Sequence, residues 1–139
     1  MHPATLDHLS PAIVVHLSLA AGALLLGPLA LRARKGSRLH RSTGYAWVTL
    51  MAGAALSSVF IRDFGMPNLW GYTPIHILTV VTLFGITAGL IFIARRDVPA
   101  HRRAMWRTYL GGCIGAGTFA LLPGRYLGDL LWHHTLGWT

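Results

Sequence analysis

The chain has 139 residues, of which 53% are hydrophobic and only 12% charged, too apolar for an ordinary soluble domain of that length and the composition of a membrane protein. Its net charge of +8 does not point to nucleic acid, because ten of the twelve Lys and Arg are gathered in two places. The single cysteine, Cys113, excludes an intramolecular disulfide or a cysteine-based metal cluster within one chain.

Met1–Ser10 is short, polar and free of Lys and Arg, so it offers no positive region for a cleavable signal and suits an exported tail. Ser10-Pro11 is a helix start, with Ser as N-cap and Pro at the first helical position. From Pro11 the chain carries no formal charge up to Leu31, and at ~1.5 Å per residue that run crosses a ~30 Å hydrocarbon core. The first span is expected over 11–32, with Pro28 able to kink it. Gly36-Ser37 supplies a stop and a new N-cap, and the second span is expected over 38–62. Asp63–Tyr72 has the Gly, Pro and Asn content of a short loop. Thr73-Pro74 repeats the first start, opening a third uncharged span over 73–95. Asp97-Val98-Pro99 opens a fourth over 99–123, whose Arg102, Arg103 and Arg107 can snorkel. The tail over 124–139 is expected to be external.

The basic residues Arg32, Arg34, Lys35, Arg38 and Arg41 fall around one loop, and Arg95, Arg96, Arg102, Arg103 and Arg107 around another. Short loops of this kind stay cytoplasmic, which puts both termini outside. Tyr and Trp sort into two belts, Tyr45, Trp47, Trp106 and Tyr109 inside, Trp70, Tyr72, Tyr126, Trp132 and Trp138 outside. One constant shift lays Ala33-Arg34-Lys35 on Ala94-Arg95-Arg96 and His40-Arg41 on His101-Arg102. The expected fold is all-α: a single domain, an integral-membrane four-helix bundle built from two parallel helical-hairpin repeats. A bundle this small suits a homodimer or a larger membrane complex.

Small residues recur at helical spacing, in Ala20, Ala23 and Gly27, in Gly85 and Gly89, and in Gly111 and Gly115. Such strips let helices approach closely or make room for a flat ligand. His16 shares one face with Ala20, Ala23 and Gly27. Of the eight histidines, His2, His8, His133 and His134 fall in external segments and are given no role. His16 and His76 lie in the outer halves of the first helix of each repeat, His40 and His101 at the inner ends of the second. An ionisable group inside a span marks a functional site, although a neutral imidazole bonded to a neighbouring helix accounts for one equally well. For His40 and His101 the plainer account is an anion or headgroup site at a helix N-terminus. As a set, the four are two pairs, one per leaflet, each able to supply both axial ligands of a haem b. Arg62 and Arg125, at the outer ends of the second helices, could pair with its propionates, or simply snorkel beside Asp63 and Asp129.

The run Gly27-Pro28, Arg34-Lys35-Gly36, His40-Arg41, Gly44-Tyr45, Ser57-Ser58, Ile61-Arg62, His76, Thr82-Leu83, His101-Arg102-Arg103-Ala104-Met105 and Phe119 to Arg125 resembles a bacterial membrane family of unknown function, DUF2306. The layout of four histidines on four helices is also similar to the cytochrome b-561 group. That second resemblance implies a transmembrane electron carrier with two bis-histidine haems, held by His16, His76, His40 and His101. The leading expectation is a small haem b membrane protein of the bacterial inner membrane that transfers electrons, a membrane oxidoreductase or carrier with quinone as a candidate redox partner. The alternatives are a non-enzymatic accessory protein whose basic inner face binds anionic lipid or a partner, and a small transporter.

Overall fold

The structure is a computed structural model and describes residues 10–62, 69–70, 72, 76–123, 125–135 and 137. Each helix begins where a side chain can satisfy its unpaired N–H groups. Ser10 Oγ accepts from Ile13 N at the head of α1 (Pro11–Arg32), and Ser37 Oγ accepts from His40 N at the head of α2 (Arg38–Ser58). The expected Thr73-Pro74 start lies outside the described residues, and α3 is described over His76–Ala94. Asp97 Oδ1 accepts from Ala100 N to open α4 (Val98–Tyr109).

Two boundaries differ from expectation. Helix α2 gives way after Ser58 to turns in which Val59, Phe60 and Ile61 bond back three residues, so Arg62 lies beyond the helix rather than at its end. The fourth expected span is interrupted. After α4 the chain forms a π-helical stretch, Leu110–Gly115, and resumes α geometry as α5 (Ala116–Ala120). A π stretch accommodates an extra residue within a helix, and the glycines of Leu110-Gly111-Gly112-Cys113-Ile114-Gly115 offer little resistance to it. The segment expected as a plain tail continues helically as α6 (Tyr126–Asp129) and a second π stretch, Leu130–Thr135.

The ends at the two basic loops are made differently. Gly36 takes a left-handed φ of 81° in the first loop. In the second that conformation falls on Arg96, at φ 60°, where Arg96 N bonds to Ile93 O and Asp97 N to Phe92 O. This is a Schellman ending with a residue other than glycine at its left-handed position.

Helix α1 packs chiefly on α2 and α3 on α4, while α2–α3 and α1–α4 contacts join the two hairpins. Across the interior, α2 faces α4 and the stretch that follows it through a column of pairs. His40 meets His101 at the end carrying the basic loops, with ring centroids 6.4 Å apart, and Trp47 meets Tyr109 at the same separation. Further along, Cys113 Sγ lies 3.2 Å from Met51 Sδ. Trp47 and Tyr109, expected in an interfacial belt, are buried in the core with Ala23, Ala30, Leu31, Met51, Ile86 and Met105. They are set there by Gly27, against which both rings lie.

Helix α1 stays helical through Pro28 for a specific reason. Proline removes the N–H that would bond to Leu24 O. Tyr109 Oη donates to that carbonyl instead, at 3.1 Å.

The outward faces are apolar: Leu25 is 79% exposed, Phe84 75% and Val80 68%. In water these would be large unpartnered patches, whereas against lipid tails they need no cover. Hydroxyls on the same surfaces are satisfied within their own helices, Ser18 donating to Val14 O, Thr49 to Tyr45 O, Thr87 to Leu83 O and Thr118 to Ile114 O. Helices α1 and α3 are each long and apolar enough to cross a membrane.

Candidate functional site

The end of the helices away from the basic loops encloses a cavity of about 480 Å³. That is in the range of pockets for small molecules and cofactors, ~300–1,000 Å³. Its wall is mostly apolar and small, with Ala20, Ala54, Gly112, Ala116, Gly117 and Ala120 facing it, and its polar side chains include His16, His76, Arg125, Ser58 and Thr79. The π stretch contributes Gly112 and Cys113 to this wall.

Both histidines of the cavity are anchored to α2 and the turns that follow it. His16 Nδ1 donates to Ala54 O at 2.8 Å and lies 3.2 Å from Ser57 Oγ, whose hydroxyl donates to the same carbonyl. A carbonyl oxygen only accepts, so Nδ1 carries the proton, and in the neutral ring Nε2 holds the lone pair. This is how metal-bound imidazoles are usually held, one nitrogen donating to a carbonyl while the other ligates. His76 is held by the opposite nitrogen, with Nε2 at 3.0 Å from Ile61 O and 3.2 Å from Ser58 O, at the fraying end of α2. Its ring also meets Tyr72 edge-on, centroids 5.1 Å apart. Arg125 completes this side, with its guanidinium 4.3 Å over the Phe119 ring.

The structure thus brings His16, His76 and Arg125 to one cavity but leaves Arg62 out. Arg62 is exposed and sits 5.4 Å over the Tyr72 ring. His40 and His101 form a separate pair at the basic end. Each is held through Nδ1 by its own hairpin, His40 donating to Ala30 O at 2.9 Å and His101 to Gly89 O at 2.8 Å. Their planes are 86° apart. Two axial imidazoles on one metal, with metal–nitrogen bonds of ~2 Å, would have ring centroids about 6 Å apart, but the contact here is T-shaped, ring edge to ring face. Among the described residues no three His, Cys, Asp or Glu converge as a many-ligand metal site would require. His2 and His8 lie outside the described residues.

Sequence reasoning missed three features: the π stretch, the Tyr109 bond to α1, and a second cavity at the basic end. The Pro28 position held a signal for the second, since a proline inside a span leaves one known carbonyl in need of a donor. The glycine cluster at 111–117 held a signal for the first.

Apolar outward faces, self-satisfied hydroxyls and two helices of spanning length are the features of an integral membrane protein. The chain belongs to the family described as "Predicted membrane protein (DUF2306)", whose model matches residues 13–132. No curated protein and no solved structure matches it. The likeness to the cytochrome b-561 group therefore rests on the layout of the histidines alone.

Proposed function

We propose that this is a four-span protein of the bacterial inner membrane, with basic loops cytoplasmic and both termini external, that holds haem b and passes electrons. The parallel-repeat reading is supported by the α2–α4 column and by His40 and His101, which use the same nitrogen to reach the equivalent helix of their own hairpins. The observation that carries the haem reading is the far-end cavity. It pairs an apolar wall of macrocycle-compatible size with two anchored imidazoles and a guanidinium suited to a carboxylate edge. His16 and His76 would hold the iron there, and His40 and His101 a second one at the basic end. Bound haem would supply one-electron redox chemistry, while the protein's residues hold it, fix its orientation and keep water from its faces.

The test is reconstitution of purified protein with haemin, read by absorption. A Soret band of a six-coordinate low-spin haem is expected. His16→Ala should remove the far-end share of it and His101→Ala the other. Protein that stays colourless after expression with ample haem rejects the reading.

One observation favours a second reading. His76 turns Nε2, the nitrogen that an axial ligand would present in a pair with His16, towards α2 carbonyls. A quinone, taking hydrogen bonds instead of a metal bond, would fit the same cavity with that ring undisturbed. Quinone extracted from colourless protein, and lost in His16→Ala, would favour it.

A further inference from the structure

The basic end contains a cavity of its own, distinct from the histidine pairs. It measures about 380 Å³ and is lined by Leu31, Arg32, Ala33, Arg34, Lys35, Arg102 and Trp106. Four cations from two hairpins therefore converge on one space. Arg32, Arg34 and Lys35 come from the end of α1 and the loop after it, while Arg102 and Trp106 stand one turn apart on α4.

Lys35 and Trp106 are held in place, while Arg32, Arg34 and Arg102 stand exposed around them. Lys35 Nζ donates to Leu31 O at 2.7 Å, which folds the lysine back over the end of α1. Trp106 packs on the buried core and roots the opposite wall. Among the described residues no acid pairs with these charges. Burial, and after it the like charge of Arg102, holds the Lys35 ammonium below its ordinary range. Asp97, the acid of the second basic loop, is engaged in capping α4 through Ala100 N. Random snorkelling would spread these side chains towards separate headgroups, whereas here they share one recess beside an indole.

We infer that this recess is a binding site for a phosphate group, held between the two hairpins by Arg32, Arg34, Lys35 and Arg102. Guanidinium forks match phosphate oxygens bidentately, and the ammonium adds a point charge. Trp106 suits the level of a lipid headgroup, and the phosphate of an anionic lipid and free inorganic phosphate share the chemistry that the recess selects. A bound phosphate would join the two hairpins beside the His40–His101 contact. The inference is independent of haem or quinone, because no residue of either histidine pair lines the recess.

The test compares thermal unfolding of the whole protein in nanodiscs of phosphatidylcholine alone, in nanodiscs with added phosphatidic acid, and in phosphatidylcholine with inorganic phosphate. A raised midpoint is expected with phosphatidic acid, with inorganic phosphate, or with both, and the pattern identifies the source of the phosphate. Arg102→Gln should weaken that response about tenfold in phosphate-probe concentration, as expected for losing one charge-assisted contact. Arg102→Lys should restore part of it. Arg103→Gln removes an exposed charge of the same helix turn outside the recess and should leave the response intact. No rise with either probe, or an equal rise in Arg102→Gln and Arg103→Gln, overturns the site.

Discussion

Tyr109 shows how one side chain can decide whether a span tolerates proline. Its ring fills the space left by Gly27, and its hydroxyl satisfies Leu24 O, the carbonyl that Pro28 orphans. Tyr109→Phe should therefore cost about 1–3 kcal/mol, the penalty of a buried acceptor left without a partner. In a Pro28→Ala background the residue-28 N–H can reach Leu24 O, and the same change should cost clearly less. Unfolding in mixed micelles of the four proteins gives the coupling, and additive costs would show that the bond is incidental. Pro28 and Gly27 were legible in the sequence as a possible kink and a close approach. Their partner was not, because nothing local to Tyr109 says which helix it will face. Trp47 makes the same point: its type and position near a basic loop read as a belt residue, and only packing shows it buried, with an indole N–H that has no hydrogen-bond partner among the described residues.

At the scale of elements, the glycines separate into those that admit a neighbour and those that face open space. A Cβ at Gly27 would run into the rigid Tyr109 ring, and one at Gly85 into Thr108 Oγ1, which is itself tied to Ala104 O. Gly44 faces nothing within 4 Å. Gly27→Ala and Gly85→Ala should each destabilise by about 1–3 kcal/mol through overpacking, while Gly44→Ala should stabilise by roughly 0.5–1 kcal/mol through helix propensity. Unfolding midpoints that move alike in all three would contradict the packing. The helix starts were readable because Ser10-Pro11, Ser37 and Asp97 carry capping chemistry on their own. The π stretch was not, since its Gly112 lies against Met51 and Thr82 of other helices, a contact no local pattern reports. The small-residue strip beside His16 is divided between cavity wall and packing core. Ala20 faces the cavity, and Ala23 and Gly27 are buried in the packing core.

For the whole molecule, the proposed orientation makes a direct prediction. Cysteine placed at Met66 should react with an impermeant maleimide added to intact cells, and cysteine placed at Val98 should react only after permeabilisation. Equal external reaction at both positions would reject four spans with cytoplasmic basic loops. The charge clusters are what propose that arrangement, from composition and order alone. The site was legible in part: His16, His76 and Arg125 do share a cavity, but the tautomer of His76 and the exclusion of Arg62 depend on where α2 frays, which no spacing rule reports. Both far-end histidines lean on α2, and this gives the cavity walls unequal stiffness. Moving α2 together with the turns after it would break the His16–Ala54 bond and both His76 bonds. The opposite wall is formed by small residues of the π stretch and α5, among them Gly112, Ala116 and Ala120, with no side-chain bonds of this kind to α2. For a guest of the proposed cavity, the segment 110–120 is therefore the wall expected to yield, and α2 is the frame against which its displacement would be measured.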